Sequence, residues 1–379
     1  MPSKQECRQL KEELDSLISP EEEFELLLKT ALESGKDGDL EKLEQLKREM
    51  TLRKERFKEK LWPFPELPRT ELEAQYNGQI EILERAGLLT RLSNRELGIK
   101  LNNNVEYPLP SFQEITKRFR EKREILKDKI SQGFNQIQIT PLVPIETLKQ
   151  TLSRLLTEHH NNRKLFKTKR NPNDPDEPLD LDVNNPVYVH DQFQDNPELK
   201  YYPKAFDPDN HQGITKDQLI TETQGFNIIL TEKSQFLPQE NDPNNLPIPS
   251  TGSLQAGSGH RNGRKRIENN KTSIEYLNLI NQDSQYKDES YLTIEDWLTQ
   301  FITHLEQTDQ VSNDWNDNNA TWLPGNYLPP TLEERRQNPG SSGRLPVGYW
   351  LRDVREAKVV WDRPGDRDSR WGARPSVRI

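Results

Sequence analysis

The hydrophobic period of this chain changes at Gly133, and a fold made only of helices or only of strands cannot accommodate both sides of that change. From Lys4 to Lys60 the chain is dense in Glu, Lys, Leu and Arg. Leu10, Leu14, Leu17 and Ile18 draw one apolar stripe, Phe24, Leu27, Leu28, Ala31 and Leu32 a second, and Leu40, Leu43, Leu46, Met50 and Phe57 a third, with a break at 35–39. Narrow seams among charges suit a helical hairpin or a coil through which residues 4–60 self-associate. Trp62-Pro63-Phe64-Pro65-Glu66-Leu67-Pro68 then stops helix formation, because each proline lacks an amide donor and pushes its predecessor out of the α region. Thr70–Leu89 and Phe112–Lys129 follow as helices, the second opened by a Ser111/Glu114 capping box. Beyond Gly133, residues 134–142 alternate apolar and polar, which is strand behaviour, and Ile145–Leu156 returns to a helix with Leu148, Leu152, Leu155 and Leu156 on one side. The expected class is α+β, with a helical region over 1–62, a helical linker region over 63–132 and a mixed domain over 133–379.

Within that last domain the span of about 161–272 reads as insertions. Asn171 to Pro186 is a polar loop, Val187–His190 and Gly225–Leu230 are short strands, and Pro238 to Gly263 is linker-like. Gly252 to Gly263 with Arg261, Arg264, Lys265 and Arg266 lacks the Gly-Lys-Ser/Thr ending of a phosphate cradle and reads as a flexible basic linker. Helices return at Thr272–Ile280 and Thr293–Gln307. In the second, Ile294, Trp297, Leu298, Phe301, Ile302 and Leu305 share one side that must be buried. From Val311 onward helix signals stop. Five of the seven tryptophans fall in these last 69 residues, in the style of short strands joined by loops.

Apolar residues make up only 31% of the 379-residue chain and charged ones 30%, with 27 prolines, so its cores must be small. No run approaches the roughly 20 apolar residues that span a bilayer, and the N-terminus turns acidic where a signal peptide would be apolar, which points to the cytoplasm. A formal charge of −9 argues against wholesale nucleic-acid binding. The single cysteine, Cys7, excludes an intrachain disulfide and a Cys-rich metal site. His159-His160 stand side by side, so their rings diverge by about 100° on a helix, and no second pair stands at metal spacing. The acidic loop at 171–178 lacks the glycine and terminal glutamate of a calcium loop, and no serine-, metal- or kinase-type catalytic signature occurs. No metal or cofactor is expected, and nothing positive marks the chain as an enzyme.

The ending is different. Residues 345–361 read as two strands and Trp371–Ile379 as a last one, with 362–370 as an exposed hairpin loop between them. From Arg344 onward eight arginines and one lysine face five acidic residues. Arginine and tryptophan together supply much of the binding energy at protein interfaces; the alternative is that the tryptophans fill a small core and the charges solvate loops.

The order Gly-Tyr-Trp strand, Ala-Lys-Val-Val strand, loop and closing Gly-Ala-Arg-Pro-Ser-Val-Arg-Ile resembles the end of bacterial C-type-lectin-fold domains. These include domains related to the formylglycine-generating enzyme and the variable proteins diversified by retroelements. Residues 292–297 resemble the start of that fold's second helix. The resemblance implies a β-α-α opening at Asn135, Ile145 and Thr293. Trp315-Asn316-Asp317 matches a short motif that lends calcium ligands in sugar-binding lectins, whose paired cysteines and Glu-Pro-Asn partner motif are missing here. The resemblance further implies ligand contact through outward-facing Tyr349, Arg352, Asp353, Arg355, Trp361, Asp362, Arg363, Arg367 and Arg370, without chemistry, since the family's catalytic cysteines have no counterpart. The expected function is a non-enzymatic protein presenting a diversifiable Arg/Trp/Tyr surface to a protein or other macromolecular ligand. The rivals are an enzyme of the sulfatase-modifying-factor type, which requires a buried cleft with a perturbed histidine or carboxylate, and a coiled-coil scaffold, which would act through residues 1–60 alone.

Overall fold

A computed structural model describes residues 62–169, 173–233, 260–261, 263–338 and 340–379, together with Gln45, Arg48, Thr51 and Leu52. Those four are helical; the rest of the expected N-terminal hairpin or coil, and the self-association assigned to it, lie outside the described residues. The chain divides into a unit over Met1–Glu71 and a unit over Leu72–Ile379, the second holding both the 72–132 region and everything after it. In the first, the proline-rich joint closes on itself: Trp62 Nε1 donates to the Leu67 carbonyl at 2.7 Å and the Trp62 ring meets Phe64 edge-on at 5.0 Å.

In the second unit the alternating stretch after Gly133 is β4 (Phe134–Pro141), an edge of a four-stranded antiparallel sheet. Its order is β10 (Ser290–Tyr291), β16 (Pro375–Arg378), β7 (Phe226–Glu232), β4. Ile137 stands opposite Leu230 and Ile139 opposite Ile228, and all four are buried. Helix α4 (Ile145–Asn161) lies against α7 (Ile294–Thr308), which packs on β4. The capping box at α7 is formed by Thr293 and Asp296. The expectation of one buried face is exceeded: α7 is enclosed on every side from Ile294 to Leu305, so Glu295, Asp296, Gln300 and His304 are interior as well. An amphipathic pattern reports that one stripe needs burial; it does not report that the other stripe stays wet.

The second sheet has five strands in the order β15 (Trp371–Ala373), β11 (Ala320–Trp322), β13 (Leu345–Leu351), β14 (Glu356–Asp362), β5 (Val187–Val189). β13 and β14 form the expected hairpin, while β15 runs parallel to β11 and β5 parallel to β14. Two expectations change here. Trp371–Ile379 is two strands in two sheets, and residues 363–370 do not close a hairpin, because β15 sits beyond β11 rather than beside β14. β5 and β7 also come from inside the 161–272 span that reads as insertions, and β7 is an interior strand of its sheet. β13 crosses α7 at Gly348, where a Cβ would fall 2.5 Å from the Trp297 ring.

Elements that the sequence pattern did not announce are the meander β1 (Thr90–Arg91), β2 (Leu97–Lys100) and β3 (Glu106–Pro108), helix α5 (Lys216–Thr223), and α8 (Leu332–Gln337) with its Thr331/Glu334 capping box. The helices α1 (Arg69–Arg85), α2 (Phe112–Glu121), α3 (Arg123–Ser131) and α6 (Ser273–Gln282) are near their expected spans, with 112–129 split in two.

The end of the supposed basic linker is not solvated. Arg264, in β9 (Arg264–Lys265), which pairs with β8 (His260–Arg261), is fully buried. Its Nε and Nη2 donate to the two oxygens of buried Glu289, each at 2.8 Å, and its Nη1 donates to Glu232 at 2.8 Å. Lys129 reaches Glu289 at 2.7 Å and Arg266 reaches Glu232 at 2.7 Å. The guanidinium also lies over Phe134 and Tyr286, 4.8 and 5.3 Å from their ring centres. A buried charge is tolerable when, as here, each hydrogen-bonding edge meets a carboxylate.

Candidate ligand-binding face

Tyr349 is the clearest correction among the nine expected contact residues: it is buried. Along β13, Leu345, Val347 and Tyr349 point into an aromatic cluster with Trp322 and Trp371, while Gly348 meets α7 on the other face. A strand covered on both faces cannot present its tyrosine. The ring lies 4.8 Å from Trp315, and burial pushes the phenol up to about 12. Of the five C-terminal tryptophans, Trp322, Trp350 and Trp371 are core, and only Trp315 and Trp361 keep partial exposure.

Trp361 is held from two directions. Its Nε1 donates to His190 Nε2 at 3.2 Å, and the Arg344 guanidinium lies 5.0 Å from the ring centre. Asp362 follows, half-buried, its carboxyl raised to about 6 by burial and by the neighbouring Asp366 carboxylate. Arg363 is exposed and, among the described residues, its guanidinium has no ion pair. Its amide donates to Asp362 Oδ1 at 2.9 Å, which folds the start of the loop.

The remaining arginines are engaged. Arg367 Nη2 grips both oxygens of Glu275 at 2.6 and 2.8 Å, and Glu275 is also the capping-box acid of α6. Arg370 pairs with Asp368 and lies 4.0 Å over the Trp315 ring. The loop is therefore tied down in its second half, while the Arg363 guanidinium has no ion pair among the described residues.

Arg352 pairs with Asp314 at 2.6 Å and Asp317 at 2.8 Å. The Trp315-Asn316-Asp317 stretch is a single 3-10 turn, and a second cation, Lys167, stands 3.6 Å from Asp317. Its acidic groups are thus already matched by side-chain cations. Asp353 and Arg355 are exposed in the β13–β14 turn, where Arg355 adopts φ +59°. Residues 356–362 rise about 3.3 Å each, so roughly 20 Å separates that turn from Asp362. The nine residues do not make one patch: Trp361, Asp362 and Arg363 gather at one end of β14, Asp353 and Arg355 at the other. Sequence reasoning missed His190 and Arg344, whose proximity to Trp361 follows from β5 and β13 flanking β14.

The interior of α7 bears on the rival enzyme reading. Buried Glu295 accepts from Tyr201 OH at 2.6 Å and pairs with Lys216 at 3.0 Å, and Lys216 also donates to the Val143 carbonyl. His304 is driven down to about 4 by burial and by Arg374. The Thr303 hydroxyl beside it donates to the Thr299 carbonyl at 3.0 Å, and the Thr308 hydroxyl donates to the His304 carbonyl at 2.7 Å and stands 3.4 Å from His304 Nε2. His159 is held by Glu306 at 3.0 Å and Asp309 at 2.9 Å. No group of three or more His, Cys, Asp or Glu side chains is disposed to hold a metal ion among the described residues. Nor is any described helix long and apolar enough to cross a membrane.

Comparison of the chain with protein-family models, with curated proteins and with solved structures gives no match in any of the three.

Proposed function

We propose that this is a non-enzymatic, cytoplasmic ligand-binding protein of C-type-lectin-like build, whose contact face is the end of β14 and the loop after it. Trp361 is the anchor, Asp362 and Arg363 the directional groups, and the ligand a protein. The observation that carries this reading is the setting of Trp361: a half-exposed indole fixed by Arg344 and His190, next to an arginine without an ion pair among the described residues. An aromatic anchor that is already immobilised loses little freedom on binding, and Trp and Arg lead the residue types that dominate interface energetics. The lectin-like part of the reading draws support from β4 and β16 sharing a sheet through β7, with α4 and α7 between them in sequence. Residues 4–60 are assigned by their leucine stripes to spacing or self-association.

The test is the Trp361→Ala/Arg363→Ala double variant. Its melting temperature should stay within a few degrees of wild type, and a protein captured by the wild-type chain from an extract of its source should be lost. Unfolding of the variant, or capture that survives it, would overturn the reading. Sibling sequences within one genome supply an independent check: substitutions should gather between Trp361 and Arg370, with Tyr349 unchanged because it is core.

A further inference from the structure

We propose that the cavity where α4 and α5 begin, beside the β2–β3 turn and the segment 193–199, binds a small amine whose single ammonium group is carried on an apolar body. The cavity measures about 520 Å³, within the roughly 300–1,000 Å³ of small-molecule sites. Trp361, His190 and Arg344 are not part of its lining.

The charge of the ligand follows from the three charged side chains that line the space, Asp195, Lys216 and Asp217. Lys216 is already matched. Its ammonium stands 2.9 Å from the Val143 carbonyl, 3.0 Å from the buried Glu295 carboxylate and 3.7 Å from Asp195 Oδ1, and Glu295 cancels its charge. Asp195 Oδ1 also accepts from the Ile145 amide at 3.1 Å. Asp195 Oδ2 and the whole Asp217 carboxylate have no hydrogen bond or ion pair among the described residues. Both carboxylates can be reached, since Asp217 is exposed and the Asp195 side chain is 46% exposed. The starts of α4 and α5 each add at most about half a positive charge, so the two carboxylates leave the space negative by about one charge. A cation is therefore attracted and an anion repelled.

The walls decide what carries the ammonium. Leu101, Pro144 and Pro197 line the cavity with part of their apolar surface exposed, and Ile220 lines it with 7% exposed. An ammonium on a solvated carboxylate gains little by itself. Measurable affinity requires a body that covers these side chains as well, and a polar body would leave them wet.

The experiment is saturation-transfer NMR and calorimetry on the full chain with three probes. Phenethylamine is the expected ligand, 3-phenylpropionate has the same ring with the opposite charge, and ethanolamine has the ammonium without the ring. Phenethylamine should bind with a millimolar or tighter Kd, more tightly than either of the others, and its affinity should fall as salt is added. Asp217→Asn and Asp195→Asn keep the side-chain shape and, at 195, an acceptor for the Ile145 amide. Each should weaken phenethylamine binding by about twofold to fivefold, and Trp361→Ala should leave it unchanged. Should Asp195→Asn fail to fold, the exposed Asp217→Asn decides by the same loss. Absence of phenethylamine binding, equal or tighter binding of 3-phenylpropionate or ethanolamine, or an affinity unaffected in the folded Asp variants would overturn the proposal. Because Trp361 lies outside this cavity, a failure here leaves the protein-ligand reading standing, and the reverse.

Discussion

Two arginine-rich stretches of this protein look alike in sequence and behave oppositely in the fold. Arg264 and Arg266 follow a Gly/Ser-rich segment and read as solvated linker, yet Arg264 is sealed between Glu232, Glu289, Phe134 and Tyr286. Arg363 and Arg367 follow a strand in a Trp-containing tail; both are exposed, and among the described residues Arg367 has an ion pair and Arg363 has none. Both are arginine-rich, and the second also carries Asp362, Asp366 and Asp368. What differs is burial: Glu232 of β7 and Glu289 before β10 meet Arg264 in the interior, whereas Glu275 of α6 meets Arg367 at the surface.

That contrast predicts a steep ordering of substitution effects. Arg264→Ala should cost about 3–5 kcal/mol of unfolding free energy, because it strands buried Glu289 with fewer donors; denaturant titration giving less than about 1 kcal/mol would erase the distinction between the two stretches. Acid should act through the same cluster. Arg266 and Arg264 hold the Glu232 carboxyl down at about 2 against an ordinary value of 4.5. A depressed carboxylate contributes stability that is complete above the ordinary value and is lost as pH falls through the folded one. Stability should therefore decline between about pH 4.5 and 2 by roughly 3 kcal/mol from this group, and Glu232→Gln should flatten that part of the profile. At the bottom of the scale, Arg367→Ala breaks an exposed pair and should change stability by less than about 1 kcal/mol. A larger loss, read as a fall in melting temperature, would mean that the loop supports the α6 cap as a structural element.

Elements governed by near neighbours were legible. The capping box at Ser111 and the period-two run of β4 depend on contacts within a few residues, so pattern reading finds them. Thr331 and Glu334 carry the same signal, but α8 is six residues long and shows no period to confirm it. Of the candidate face, Trp361, Asp362 and Arg363 were recognisable as a group because they are consecutive. His190 and Arg344 were not, since only the β5–β14 and β13–β14 pairings bring them to the indole. Tyr349 shows the converse: its neighbours in sequence suggest a surface strand, and the aromatic cluster packed on it comes from β11, β15 and the turn at Trp315.

What the sequence alone determined is the α+β character, the order of helices and strands beyond Gly133, and the caps that start several of the helices, because backbone hydrogen bonding and apolar period are local properties. Tertiary structure decided which polar groups are interior. Lys129 meets Glu289 across 160 residues of chain, and the enclosed polar side of α7 exists only because sheet and helices pack around it. The free energy of a charge or an amide depends on what stands within hydrogen-bond distance of it, and in this protein those partners arrive from distant segments.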